Sequence, residues 1–201
     1  MSQIIQKEEL YRKMKLRMSE MTEDESIDYV FRDTISTCKN ERFLTKYLQE
    51  PFQSPSSAVL MFDICNFQLV DRKYGTKFGQ KVLTAISNTI KDCFNNSCDV
   101  IRYYGDVFVV LMYDVSSDDV LYHISNALSS LATLEFSEHP SLIVRAVSGG
   151  FITDELSLES LNRADTMLQK AKKNKLKGLI EQETSSWVKE FSLDELIAVD
   201  H

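Results

Sequence analysis

Asp99-Val-Ile-Arg-Tyr-Tyr-Gly-Asp-Val-Phe-Val-Val-Leu-Met-Tyr113 reads as two strands, Asp99 to Tyr103 and Val107 to Tyr113, folded back on each other across Tyr104-Gly105-Asp106. Glycine at the tip supplies the backbone freedom of a tight turn, and the flanking β-branched and aromatic residues favour a pleated surface. Upstream, Ala58-Val-Leu-Met-Phe62 is continuously apolar and stops at Asp63. That is the pattern of a central strand buried on both faces with a polar residue at its exit. If this strand neighbours the hairpin, Asp63 and Asp106 meet at one sheet edge. Two carboxylates there suit Mg²⁺, which takes oxygen ligands and shares them with substrate phosphates, although aspartates at strand ends also serve simply as turn residues.

Working outward, Phe78, Val82, Ile86 and Ile90 recur at helical spacing and predict a helix over 76–92. Val120, Ile124, Leu128 and Leu131 predict another over 118–131, with Ser117 or Asp118 as its cap. A third runs over 158–173 and ends in a basic turn of Lys170, Lys172, Lys173 and Lys175, where cations suit the negative end of the helix dipole. Strands are expected over 141–152, where Gly149 and Gly150 point to a bulge or a close backbone approach, and over 179–181. Before the apolar run, helices are expected over 25–36 and 41–48, and the prolines and serines of 50–57 break periodicity. Helix–strand alternation with one hairpin implies an α/β (α+β) fold, a mixed sheet of about five strands with helices packed around it.

The expected organisation is an N-terminal amphipathic helix over 1–24, a domain over 25–183 and a tail over 184–201, helical from Trp187 to Leu196. Leu10, Met14, Met18 and Met21 give the first helix an apolar stripe that either packs on its own domain or joins a homodimer. The chain has 201 residues, 43% of them hydrophobic, enough for one sizeable core. A net charge of −7 argues against a nucleic-acid partner, which calls for a basic face. Cys38, Cys65, Cys93 and Cys98 form no CxxC pair and have no histidine nearby in sequence, so they read as reduced thiols in a cytoplasmic protein. No apolar run approaches the roughly 20 residues of a membrane span.

Four short stretches, in order, resemble the GGDEF (diguanylate cyclase) family. Asp33-Thr-Ile-Ser-Thr-Cys-Lys-Asn-Glu-Arg-Phe43 is similar to its opening DxLTGLxNRxxF, and Phe62 to Leu83 to FDIDxFKxxNDxYGHxxGDxxL. Arg102-Tyr-Tyr-Gly-Asp-Val-Phe108 is similar to RYGGDEF, and Ala164-Asp-Thr-Met-Leu-Gln-Lys-Ala-Lys172 to ADxALYxAK. The resemblance spans about residues 28–181 and implies a palm-like sheet. In active members that sheet holds GTP and two metal ions at the hairpin, and two domains join two GTP molecules into cyclic di-GMP.

Carried over by position, Asp63, the Ile64 carbonyl and Asp106 match metal ligands, and Lys172 matches a phosphate-contacting lysine. The losses are heavier. Val107 stands at the motif's glutamate and can neither coordinate a cation nor accept a proton. Tyr104 stands at its first glycine, Gln68 and Leu176 at two phosphate-facing cations, and Asp71 and Gln80 at the guanine-reading pair. Cys65 replaces a further aspartate, and Asn95-Asn-Ser-Cys98 stands where RxxD would bind product. Only Gly105 and Phe108 complete the motif beside Asp106. The resemblance therefore implies a catalytically inactive domain that requires no cofactor. It would act as a regulatory or scaffold component through another protein, in bacterial cyclic di-GMP or related signalling, and GTP binding is doubtful. The alternative is a nucleotide- and Mg²⁺-binding sensor or weak cyclase of altered specificity that uses Asp63, Asp106 and Lys172 to hold a nucleotide other than GTP.

Overall fold

The apolar run that ends at Asp63 is the middle of the sheet. The computed structural model of the chain describes residues 12, 15, 16, 18–94, 98–183 and 188–191. Its strands are β1 (Lys39–Asn40), β2 (Phe52–Ile64), β3 (Asp99–Tyr104), β4 (Val107–Met112), β5 (Ala146–Leu156), β6 (Gly178–Gln182) and β7 (Val188–Phe191). They form one mixed sheet in the order β1-β3-β4-β2-β5-β6-β7. β2 runs antiparallel to both of its neighbours, β4 and β5, while β1–β3 and β5–β6 are parallel pairs. Residues 58–62 are fully buried, as a strand covered on both faces must be.

The helices are α1 (Glu23–Phe31), α2 (Glu41–Tyr47), α3 (Phe67–Tyr74), α4 (Thr76–Phe94), α5 (Ser117–Ala132) and α6 (Leu158–Lys173). Strand alternation divides the core in two. Leu60, Phe62, Phe108 and Val110 face α4 and α5, whose stripes of Val82, Ile86, Ile90, Val120, Ile124 and Leu131 cover them. Val59, Met61, Val107 and Val109 face the other way, under Leu44 and Leu48 of α2 and its border and under Leu161, Ala164 and Leu168 of α6. The mixed α/β class is as the alternation implied.

Several elements depart from the sequence expectation. β2 begins at Phe52, not at Ala58, because the segment around Pro55 pairs only with β5, through a register shift between Gln53 and Ser57. Proline is tolerated at such an irregularity, where no ladder hydrogen bond is lost. Seven strands replace the expected five through the two-residue β1 and through β7. Residues 188–191, expected to be helical, pair antiparallel with β6; the other residues of that tail lie outside the described ones. Helix α1 stops at Phe31 rather than Ser36, since the Asp33 carboxylate accepts from the Ile35 and Ser36 amides and turns the chain. The cap of α5 is Ser116, one residue earlier than expected, in a reciprocal box with Asp119. β5 starts at Ala146 and not at Ser141. Of the first helix's stripe, Leu10 and Met14 lie outside the described residues, while Met18 is half exposed.

Gly149 marks a close approach and not a bulge, for the β2–β5 register is regular there. A Cβ on Gly149 would sit 2.5 Å from Leu168 Cα and overlap that residue's backbone nitrogen, so helix α6 rests directly on the β5 backbone. Backbone cannot swing aside as a side-chain tip can. Gly149→Ala is therefore expected to cost about 1–3 kcal/mol, the range for overpacking a tight core. The urea midpoint measures it, and an unchanged midpoint refutes the close approach.

Candidate functional site

The end of β2 and the hairpin turn meet as the sequence required. Asp63 is the register partner of Val107, and the Ile64 amide donates to the Asp106 carbonyl at 3.3 Å. Asp63 and Asp106 are near enough that the charge of Asp63 acts on Asp106. Burial, then the charge of Asp63, pushes the Asp106 carboxyl above its ordinary value, against the lowering effects of its own backbone hydrogen bond, Lys172 and Arg102. A carboxyl that holds its proton more tightly is a weaker cation ligand.

The last turn of α6 brings the third charge. Lys172 Nζ donates to Asp63 Oδ2 at 3.0 Å. Burial works to lower the Lys172 ammonium's pKa, but the Asp63 bond and charge, with Tyr104 and Asp106 behind, raise it above the usual lysine range. It stays charged throughout the physiological range. A divalent cation arriving at Asp63 would have to displace that ammonium.

Val107 is 1% exposed and packs among Leu44, Met61 and Val109. Paired residues of an antiparallel ladder share a face, so Val107 sets an apolar surface beside Asp63. No group of three or more potential metal-ligating side chains occurs among the described residues. Of the two carboxylates, Asp63 is already paired with the Lys172 ammonium, which leaves fewer open oxygens for a divalent cation than two unpaired acids would offer.

The turn itself is held from behind. Gly105 has φ +52°, and between Arg102 and Tyr104 the β3–β4 register shifts, leaving Tyr103 as the extra residue of a bulge. Tyr104 follows, half exposed, its ring 4.9 Å from that of Tyr103. Burial, with the carboxylates of Asp165 and Asp63 close by, pushes the Tyr104 phenol up. Its ring therefore stands beside the acids. Arg102 donates from Nε and one terminal nitrogen to the Gly105 carbonyl at 2.8 and 2.6 Å, and from the other to both Asp33 oxygens at 3.2 Å. One guanidinium thus joins the turn to the chain that leaves α1.

The remaining positions fall elsewhere. Asp71 and Gln80 lie on α3 and α4, the helical layer across the sheet from α6, where the Asp71 carboxylate leans over Gly79. Gln80 and Gln68 are exposed. Leu176 packs against Met167, Ala171 and Leu179. Cys65 donates its amide to the Arg145 carbonyl at 2.7 Å, and burial followed by Asp63 raises its thiol above the ordinary range. Positions 95–97 lie outside the described residues. Sequence reasoning missed the Asp33–Arg102 bond, which spans 69 positions, and missed Arg145 and Lys177 at this end of the sheet.

Residues 30–177 match the family described as diguanylate cyclase, GGDEF domain. The chain belongs to the GGDEF domain family. Among curated relatives it is 25% identical over 154 residues to diguanylate cyclase DgcN of Escherichia coli, covering 75% of this chain and 36% of that protein. It is 27% identical over 121 residues to diguanylate cyclase A of Treponema denticola, covering 58% and 33%. The chain thus spans about a third of these relatives' length. Among solved structures, diguanylate cyclase SiaD with its activator SiaC from Pseudomonas aeruginosa superposes with a TM-score of 0.69 at 21% identity, over 90% of this chain and 74% of that one. This GGDEF fold keeps the family's first strand and hairpin while presenting Tyr104 and Val107 within the motif.

The Asp33–Arg102 pair yields a pH test. Asp33 is desolvated, yet bonds from Ser36 and the charge of Arg102 outweigh that and lower its carboxyl below its ordinary value. A depressed carboxyl contributes stability above its unfolded pKa and loses it as pH falls through the folded one. Asp33→Asn should therefore cost a near-constant amount, about 1–3 kcal/mol, from about pH 5 to 8, and less below about pH 4. Urea unfolding across that range reads it. A gap that widens on acidification would reverse the sign assigned here.

Proposed function

We propose that this GGDEF-family domain does not synthesise cyclic di-GMP and works instead by binding, as a regulatory or scaffold component of cyclic di-GMP signalling. The single observation that carries the reading is the pairing of Lys172 with Asp63 opposite a buried Val107. Phosphoryl transfer depends on positioning and on charge placed where the transition state needs it. A site lacking the motif's glutamate, with its remaining strand-end acid held by a lysine, supplies neither a base nor an open metal seat. Losing such groups raises the barrier by several kcal/mol, which is orders of magnitude in rate. A protein partner is consistent with the relative SiaD, solved in complex with its activator SiaC.

Incubating the full chain at high concentration with GTP and Mg²⁺ should give no cyclic di-GMP by chromatography; product at ordinary cyclase rates, about 1 per second or faster, sinks the proposal. Val107→Glu should not restore synthesis. A glutamate at that core position should instead lower stability by about 2 kcal/mol or more, because it is desolvated beside Asp63. Recovered product in this variant would mean that Val107 alone silences the site.

A further inference from the structure

We infer that the chain's own acidic segment, residues 192–201, docks in cis on the basic rim formed by Arg145, Lys173, Lys175 and Lys177. The sheet delivers it there. Phe191, the last residue of β7, is the register partner of Gly178, Gly178 of Ser148 and Ser148 of Phe62, so one row crosses four strands. β7 runs in the same direction as β2, and the chain therefore leaves it at the edge where Asp63 follows Phe62. The residues directly before β6 and β5 are Lys177 and Arg145.

The rim carries charge that the rest of the described fold leaves unpaired. Residues 170–177 hold five lysines and no acid. Lys172 is taken by Asp63, whereas Lys173, Lys175, Lys177 and Arg145 enter no ion pair among the described residues. Lys173, Lys175 and Arg145 are exposed. The Lys177 carbonyl accepts from the Ser148 amide and the Arg145 carbonyl from the Cys65 amide, which fixes both backbones at the sheet. Burial and then Asp63 raise the Cys65 thiol while Lys177, Lys172 and Arg145 pull it the other way, so these cations gather about one point. Ile143, 59% exposed and two residues before Arg145, gives the rim an apolar side chain.

The segment has the complementary chemistry. Ser192-Leu-Asp-Glu-Leu-Ile-Ala-Val-Asp-His201 contains three acids, Asp194, Glu195 and Asp200, no lysine or arginine, and the apolar Leu193, Leu196, Ile197 and Val199. Its length fits. β6 and β5 lie about 5 and 10 Å from β7, and an extended chain advances about 3.3 Å per residue. Asp194 and Glu195, third and fourth after Phe191, thus reach the ends of β6 and β5 without a long loop. A single exposed ion pair contributes about 1 kcal/mol or less. Several act together here, and a short tether holds the segment at a millimolar effective concentration, so a weak intrinsic affinity suffices. A separate acidic peptide has no such advantage. Docked, the segment covers the cations at which an outside anion would otherwise bind.

Zero-length carbodiimide cross-linking of the full chain, read by peptide mass spectrometry, tests this. Asp194 and Glu195 should couple to Lys173, Lys175 and Lys177 at least about fivefold more than to the exposed Lys46 and Lys81 on α2 and α4, and raising NaCl from about 20 mM to about 0.5 M should cut that yield severalfold. Arg145→Ala removes no reactive amine, yet it should lower the same yield about twofold or more with the thermal melt unchanged. Tethering without docking would give links indifferent to both changes. Mixing isotope-labelled and unlabelled chains identifies the occupant, and links within one chain are expected. Links between chains, an even spread over the lysines, or yields insensitive to salt and to Arg145→Ala overturn the inference. Cyclic di-GMP synthesis would defeat the proposed function without touching this result, which does not depend on it.

Discussion

Helix α6 sits on the sheet through glycine. At Gly149 the β5 backbone and the α6 backbone at Leu168 are in direct contact, leaving no room for a Cβ. That contact fixes both the height of the helix and its rotation. Lys172 lies four residues beyond Leu168, one turn on and on the same face, so the seating that places Leu168 over β5 also carries Lys172 to the end of β2. The 3.0 Å bond to Asp63 is thus a consequence of packing about one helical turn away from the charges themselves. A bulkier residue at 149 would lift the helix and loosen the ion pair together.

Two different locks then hold the rim. From the α6 side, Lys172 neutralises Asp63; from the α1 side, Arg102 grips the Gly105 carbonyl and Asp33 at once. The second lock is the better shielded, with side chains 12% and 21% exposed against 41% and 18% for the first. Shielding strengthens an ion pair and also makes its loss more costly, because the abandoned partner stays desolvated. The hairpin turn is accordingly anchored to the segment after α1, whose own helix buries no residue.

Much of this was legible in the sequence because it is periodic or contiguous. The run at 58–62, the fourfold stripes of α4, α5 and α6, and the hairpin around Gly105 each announce an element from local pattern alone. Convergence of Asp63 with Asp106 followed from the hairpin lying next to β2. What escaped is long-range or irregular. The β2 extension hides behind Pro55, since its pairing depends on β5, a hundred residues away in sequence. α3 has Phe67 as its one buried residue and offers too short a stripe to read. Lys172 was legible as a helix-end cation, but its partner, 109 positions distant, was not. Arg145 and Lys177 look like ordinary surface charges until the register of β5 and β6 brings them to one rim. Side-chain pairing across a sheet is set by topology, and topology is what a single sequence states least directly.

Val107 shows why the chemistry of this rim cannot be judged one residue at a time. In strand β4 it alternates with Phe108, so one of the two belongs to each core, and both are buried. A glutamate at 107 would leave a charged group at the border of an apolar layer formed by Leu44, Met61 and Val109, tolerable only with a cation to meet it. Valine removes that demand and adds apolar burial. The ammonium on Asp63 follows the same logic. Asp63, the acid at the end of β2, is met by Lys172, a side chain the packing of α6 already delivers. The Asp63 charge is thereby met from within the chain.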